Sequence, residues 1–97
     1  GGLKSRLLFM KIYTDLIKEF LFSLEPSTKA KVSRAIDLLE EYSYGLLMPH
    51  SKKISRHIFE LRTKGGQEVR IFYCFYNDKI YLLSGFVKKS QKGKKIT

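Results

Sequence analysis

The spacing of apolar residues changes at Gly45, and this change limits the chain to a small set of folds. Before Gly45, apolar residues recur at helical intervals in two stretches. These residues are Leu16, Ile17, Phe20, Leu21 and Leu24, then Val32, Ala35, Ile36, Leu39 and Tyr42. After it, segments 58–63, 68–76 and 80–87 are rich in β-branched and aromatic residues, with turn residues at 64–67 and 77–78 between them. This order predicts an α+β domain: a small twisted antiparallel β-sheet with two N-terminal helices packed on one face.

Local signals predict where the two helices begin and end. A short strand over 7–13 leads into the first helix. Glu25-Pro26 ends that helix, because proline disfavours helical backbone in the residue before it. Ser27 or Thr28 is then predicted to cap the second helix, and Gly45 to stop it.

The 97 residues are expected to form a single domain, 1–97. Gly1 and Gly2 are interpreted as an expression scar, and 88–97 as a basic tail without apolar periodicity. The single cysteine, Cys74, excludes an internal disulfide and favours a reducing, cytoplasmic location. The longest purely apolar run, 7–10, is too short to span a membrane.

Positive charge is concentrated in the half of the chain that is predicted to form the sheet. Residues 46–97 contain twelve Lys and Arg against three Asp and Glu, a net charge of +9, whereas 1–45 have a net charge of +1. Surfaces normally mix the two signs, so this imbalance indicates a polyanionic partner. Aromatic residues interleave with the cations, which favours nucleic acid over a membrane surface.

The sequence gives little support for a metal ion or a cofactor. The spacing of His50 and His57 fits no standard ligand pattern, and Cys74 lies in an aromatic run that is predicted to be a strand. We therefore expect no metal site and no cofactor, and we interpret Cys74 as a small core residue.

Two arginines lie in the middle of predicted strands. Because side chains alternate along a strand, Arg62 shares a face with Glu60, and Arg70 shares a face with Phe72. A charged residue among apolar neighbours is a local conflict that often marks a functional position. The alternative is a partly buried arginine that is paired with Glu60 or Glu68.

Four sequence blocks follow one another in the second half of the chain. They read MPHSKKI at 48–54, FELR at 59–62, RIFY at 70–73 and LLSGFVKKSQK at 82–92. This ordered set resembles the phage-derived branch of the RelE/HigB toxin superfamily, in which a His often stands at the position of Ser84. The upstream helices also fit, and the resemblance implies a RelE-like sheet with two helices on one face.

The resemblance implies the toxin of a type II toxin–antitoxin system. Such toxins are metal-independent endoribonucleases that cleave mRNA, many of them on the ribosome, and thereby inhibit translation and growth. The 2′-hydroxyl attacks the neighbouring phosphate and leaves a 2′,3′-cyclic phosphate, so the protein must move protons and stabilise a phosphorane. The implied partners are mRNA, the ribosome and a cognate antitoxin of acidic or helix-turn-helix type.

The resemblance also implies roles for individual residues. Catalytic roles fall to two arginines at the scissile phosphate and two lysines as proton acceptor and donor; these are Arg62, Arg70, Lys53 and Lys88. RNA-binding roles fall to Lys52, Lys89, Lys92, Tyr73 and Phe86. The two aromatic residues would stack on bases, but a core role is also open for each of them.

A second interpretation stays open at this point. Phosphate attraction would equally serve a non-catalytic RNA- or ribosome-binding module, or a decayed toxin that still binds its antitoxin. Growth arrest that depends on Arg62 or Arg70 would separate the two interpretations.

Overall fold

The computed structural model describes residues 10–88, in which five strands form one sheet. The strands follow the spatial order β1-β5-β4-β3-β2. Their bounds are Lys11–Tyr13 for β1, Ser51–Lys53 for β2, Phe59–Thr63 for β3, Glu68–Tyr76 for β4 and Lys79–Lys88 for β5. The α+β prediction is confirmed, and the three predicted strands of the second half are present nearly as expected.

The sheet is mixed, which corrects the prediction of a purely antiparallel sheet. Strand β1 pairs with β5 in parallel, with Ile12 opposite Ile80, whereas the other neighbouring strands are antiparallel. A parallel pair needs a long crossover, and here the helices and the remaining strands lie between β1 and β5 in the sequence. In the sequence, both helices therefore lie between β1 and the other four strands of the sheet.

The first predicted helix is shorter than expected. A 3₁₀ turn at Asp15–Ile17 precedes helix α1, Lys18–Ser23. Ile17 and Leu24 are buried, but Leu16 is 70% exposed and lies outside the buried stripe in which it was predicted. The change from a 3₁₀ turn to an α-helix rotates Leu16 away from the face that Ile17 and Phe20 share.

The second helix, α2, spans Pro26–Tyr42. Its N-cap is Glu25 with Pro26 in the first turn, so the predicted caps, Ser27 and Thr28, are wrong by two to three residues. The helix ends at Tyr42, where Ser43 takes a positive φ of 48°, and not at Gly45. Tyr42 is 54% exposed and so does not belong to the inner face as predicted.

One face of the sheet packs against both helices, and we call it the covered face. Helix α2 contributes Val32, Ala35 and Leu39 to the core. The strands contribute Leu61, Val69, Ile71, Tyr73, Ile80 and Leu82, each at most 1% exposed. Helix α1 approaches β5 closely at Gly85, where an added Cβ would lie 2.6 Å from the Phe20 ring. A residue without a side chain is what allows α1 to lie on the sheet at this point.

The two predicted hairpin turns are present. Asn77 and Asp78 both have positive φ, 50° and 61°, as a two-residue turn between β4 and β5 requires. The turn between β3 and β4 contains Gly65 at φ 148°. Edge strand β2 was not predicted, because Ser-Lys-Lys carries no apolar alternation.

Strand β5 contains an extra residue. Phe72 lies opposite Ser84, and the next residue, Tyr73, lies opposite Leu82, so Leu83 has no partner of its own. Such a bulge reverses the alternation of side chains along the strand. Before the bulge the odd-numbered Tyr81 lies opposite Cys74, and after it the even-numbered Phe86 lies opposite Arg70. Both aromatic residues therefore share one face of the sheet.

Candidate nucleic-acid interface

The second face of the sheet is not covered by α1 or α2, and we call it the open face. Its residues follow from the strand register. One end carries charged residues with one aromatic pair: Lys52, Glu60, Arg62, Glu68, Arg70, Phe72, Phe86 and Lys88. We call this the charged end. The other end carries Tyr13, Tyr76 and Tyr81, and we call it the tyrosine end.

The two mid-strand arginines lie directly opposite each other at the charged end. Arg62 on β3 is the register partner of Arg70 on β4. Cross-strand pairs of like charge repel, so this pairing needs compensation. Glu60 supplies part of it, since its Oε1 lies 3.2 Å from Nη1 of Arg70 and 3.6 Å from Nε of Arg62.

Arg70 is the more constrained of the two arginines. It is 8% exposed, and its Nη2 lies 2.6 Å from Oε2 of Glu68 in addition to the contact with Glu60. The hydrogen bond from the Arg70 guanidinium, together with the nearby charges of Arg70, Lys88 and Lys64, holds the pKa of the Glu68 carboxyl below its ordinary value. The ion-paired interpretation therefore describes the contacts of Arg70 in this structure.

Arg62 is held more loosely. Its side chain is 20% exposed, its contact with Glu60 is too long for a hydrogen bond, and its Nη1 donates to the weakly accepting Sδ of Met48 at 3.5 Å. Among residues 10–88, Nε of Arg62 and Nε of Arg70 are both buried without a hydrogen-bond acceptor. Arg62 therefore has the greater unused capacity to bind an anion.

The lysines of β2 are divided between the two faces. Lys52 lies opposite Glu60 and belongs to the open face. Lys53 lies opposite Phe59, with its Nζ 6.0 Å from the centre of the Phe59 ring, and Phe59 belongs to the covered face. The structure thus does not bring Lys53 together with Arg62 and Arg70. Because side chains alternate along a strand, Lys53 lies on the face opposite that of Lys52, and its catalytic role stays a prediction.

Lys88 lies at the charged end. It is exposed and lies opposite Glu68 at the end of β5. Lys89 and Lys92, which were also predicted to bind RNA, lie outside the described residues. The cations that the described structure gathers on the open face at this end are therefore Lys52, Arg62, Arg70 and Lys88.

The two residues that were predicted to stack on bases differ in exposure. Phe86 is 42% exposed, lies opposite Arg70, and its ring is 5.8 Å from that of Phe72. Tyr73 is 1% exposed on the covered face, where its hydroxyl shares a hydrogen bond with Ser51 and its ring stacks on Phe59. Burial raises the pKa of this hydroxyl. No ring face is left for a base, so the stacking role predicted for Tyr73 is wrong and the core role is correct.

The tyrosine end was missed in the sequence. Tyr13 and Tyr81 stack with ring centres 5.1 Å apart, and Tyr76, which is 64% exposed, lies 6.4 Å from Tyr81. This cluster depends on the parallel pairing of β1 with β5 and on the register that follows from the Asn77-Asp78 turn between β4 and β5. The one local signal in the sequence is the position of Tyr76 directly before the turn residues Asn77-Asp78, where a tyrosine is easily exposed.

The fold and the open face define a small α+β domain that presents paired arginines and aromatic rings on the sheet face opposite α1 and α2. The chain matches the family described as "Phage derived protein Gp49-like (DUF891)" over residues 19–96, and it belongs to that family. No curated protein matches the chain. Within residues 10–88, no helix has the length and apolarity that a membrane-spanning segment needs.

Proposed function

We propose that this protein is the toxin of a type II toxin–antitoxin system, and that it cleaves mRNA on the ribosome without a metal ion. Its membership of a phage-derived family and the resemblance of its four blocks to the RelE/HigB superfamily support this proposal. The observation that carries it is the juxtaposition of Arg62 and Arg70 on an open sheet face. Such a protein would act in the cytoplasm, and a cognate antitoxin would neutralise it.

Arg62 is the residue best suited to hold the scissile phosphate. It has the weaker attachment of the two arginines and the more exposed side chain, 20% against 9% for Arg70. Guanidinium donors stabilise the additional negative charge of the phosphorane more than that of the ground-state diester. Arg70, which is fixed by Glu60 and Glu68, would add positive charge from behind and orient the carboxylates.

Two lysines flank the arginine pair on the open face and would serve the proton transfers. Lys52 lies on the β2 side, and Lys88 lies on the β5 side. Each faces a carboxylate across the strand, Glu60 and Glu68 respectively. One of the two lysines would have to be a neutral amine to accept the proton of the attacking 2′-hydroxyl, while the other, as an ammonium, stabilises charge and can donate a proton to the leaving 5′-oxygen. Phe86 would support a base beside the arginines.

The direct test is a primer-extension map of cellular mRNAs after brief induction. The variant Arg62→Gln removes the looser arginine without leaving Arg70 unpaired, and Arg56→Gln, in the exposed loop between β2 and β3, removes the same charge elsewhere. We expect cuts inside translated frames with the wild type and with Arg56→Gln, and a loss of at least about tenfold with Arg62→Gln.

Blocking translation adds a second arm to this experiment. Cuts that vanish when translation stops indicate dependence on the ribosome, whereas cuts that persist retain the ribonuclease and remove the ribosome from the proposal. Equal cutting by wild type and Arg62→Gln would contradict the role of Arg62, and no cutting by the wild type would contradict the proposed activity.

One observation favours the second interpretation, a non-catalytic RNA- or ribosome-binding module or a decayed toxin. Arg70 is buried and bound by two carboxylates, which is also what a purely structural arginine requires. A protein of this kind would bind RNA or an antitoxin, but it would leave no cuts in the induction experiment.

A further inference from the structure

A basic cleft lies between helix α2 and the end of strand β3. Its volume is about 530 Å³. The lining residues are Lys31, Arg34, Ala35 and Leu38 of α2, Pro49 and His50 before β2, and Arg62, Thr63 and Lys64. Four of these carry a full positive charge and none is acidic. We call this pocket the α2–β3 cleft, and its charge favours an anionic occupant.

The two walls of the α2–β3 cleft are joined by a hydrogen bond. Nζ of Lys31 donates to the carbonyl oxygen of Lys64 at 3.3 Å. At the neighbouring Gly65, an added Cβ would lie 2.6 Å from the same Nζ, so the glycine leaves room for the lysine head group. The ammonium of Lys31 is therefore held at the cleft, with two further N–H groups available to a ligand.

One residue that lines the cleft has a buried hydroxyl without a hydrogen-bond partner in the described part of the chain. Thr63 is 9% exposed, and within residues 10–88 its Oγ1 forms no hydrogen bond. A buried polar atom without a partner costs stability, and native proteins contain few of them. An oxyanion in the cleft would accept a hydrogen bond from this hydroxyl and would be attracted by Lys31, Arg34 and Lys64.

We propose that the α2–β3 cleft binds a phosphate of the RNA backbone, at a site separate from the scissile phosphate. Arg62 connects the two sites, since it contacts Glu60 at the charged end and also lines the cleft. This continuity of positive charge from the open face around the sheet edge favours a phosphate chain over an isolated acidic side chain. The inference rests on the proposed function only in taking RNA as the ligand.

The test measures binding rather than cleavage, so it does not depend on catalysis. The probes are 2′-O-methyl single-stranded RNA oligonucleotides of increasing length, which cannot undergo attack by a 2′-hydroxyl. Affinities are measured by fluorescence anisotropy over a range of salt concentrations. The double variant Arg34→Gln/Lys64→Gln removes two of the four positive charges of the cleft, and Lys18→Gln/Lys29→Gln removes the same charge from exposed positions of α1 and α2 that do not line it.

We expect the cleft variant to bind long oligonucleotides more weakly than the control and to bind the shortest ones equally well. Its salt dependence should be shallower by up to about 1.4 in the slope of log K, because each phosphate contact to a single strand contributes about 0.7. Thr63→Val removes only the unpartnered hydroxyl, so it should keep or raise thermal stability while weakening binding about fivefold.

Each other result overturns the inference in a recognisable way. Equal RNA affinity of the cleft variant and the control would remove the cleft from the RNA path, while cleavage by the wild type could still stand. Binding of an acidic Glu- and Leu-containing peptide that is lost in the cleft variant, with RNA binding unchanged, would assign the cleft to a protein partner. A wild type that binds no RNA at all would overturn both this inference and the proposed function.

Discussion

The two faces of the same sheet are stabilised by different forces. On the covered face of β4, Val69, Ile71 and Tyr73 are at most 1% exposed and pack against apolar side chains. On the open face of the same strand, Arg70 is almost as buried, but its neighbours are carboxylates and not helices. Apolar packing is nondirectional and additive, whereas the ion pairs depend on the presence of each partner.

This difference places the apolar core and the proposed functional surface on opposite faces of one sheet. The covered face can supply most of the free energy of folding because it excludes water from aliphatic and aromatic surface. The open face holds its charges in balance without α1 or α2 packed on it, so the 20% exposed side chain of Arg62 and the 42% exposed Phe86 stay accessible. Substitutions at adjacent positions of one strand should therefore have effects of different kinds.

The largest expected effect comes from neighbouring positions 71 and 72. Ile71→Ala should lower the free energy of unfolding by about 3–4 kcal/mol, because it leaves a cavity under the helices. Phe72→Ala, which removes a half-buried ring from the open face, should cost clearly less despite deleting more atoms. Urea denaturation of both variants measures the difference, and an equal loss would mean that the open face is as well packed as the covered one.

The next largest effect concerns the charge balance of the open face. Arg70→Ala leaves Glu60 and the partly exposed Glu68 without their main partner and should cost about 2–3 kcal/mol. Part of this loss should return in Arg70→Ala/Glu60→Gln, since the buried carboxylate is then neutral. Denaturation of the two single variants and the double variant completes the cycle. Strict additivity of the two substitutions would show that the pair does not interact.

A smaller effect is expected where α1 meets the covered face. Gly85→Ala should destabilise the protein by about 1–2 kcal/mol, because the new Cβ meets the Phe20 ring at 2.6 Å and the ring must shift. Gly66→Ala is the matched control, since nothing lies within 4 Å of a Cβ at that position. Thermal melts of the two variants should differ, and a Gly85→Ala variant as stable as Gly66→Ala would mean that α1 moves freely on the sheet.

The smallest effect is a pH dependence at Glu68. Its folded-state pKa is lowered, so the carboxylate stabilises the fold above its unfolded pKa of about 4.3, and this contribution is lost as the pH falls through the folded value. Wild type should therefore be more stable than Glu68→Gln near neutral pH, and the gap should close on acidification. Melting temperatures between neutral and acidic pH test this, and a constant gap would contradict it.

The features that could be predicted from the sequence depend on residues close together in the chain. The turn at Asn77-Asp78 and the apolar periodicity of α2 are local, and both are present. The parallel pairing of β1 with β5 joins residues nearly 70 positions apart, for which the sequence holds no local signal. The position of Lys53 on the covered side follows only from the register of β2 with β3. The three residues of β2 show no alternation of apolar and polar side chains from which it could be predicted.

The same reasoning explains why Arg62 and Arg70 could be placed more reliably than the aromatic residues. A mid-strand arginine conflicts with its surroundings, and the structure indeed brings the two together. Tyr73 and Phe86 are both aromatic residues in strands, and composition does not distinguish a core ring from an exposed one. Strand alternation separates them only once the covered face is known.

The unpaired Leu83 shifts the alternation of side chains along β5 by one residue. Upstream of it, odd-numbered residues reach the open face, and downstream of it the even-numbered ones do. If Leu83 instead paired with Phe72 as in a regular ladder, the downstream half would be out of phase: Val87 would turn outward, and Phe86 and Lys88 would turn toward the helices. The chemical character of half the open face thus depends on a residue that belongs to neither its charges nor its aromatic rings.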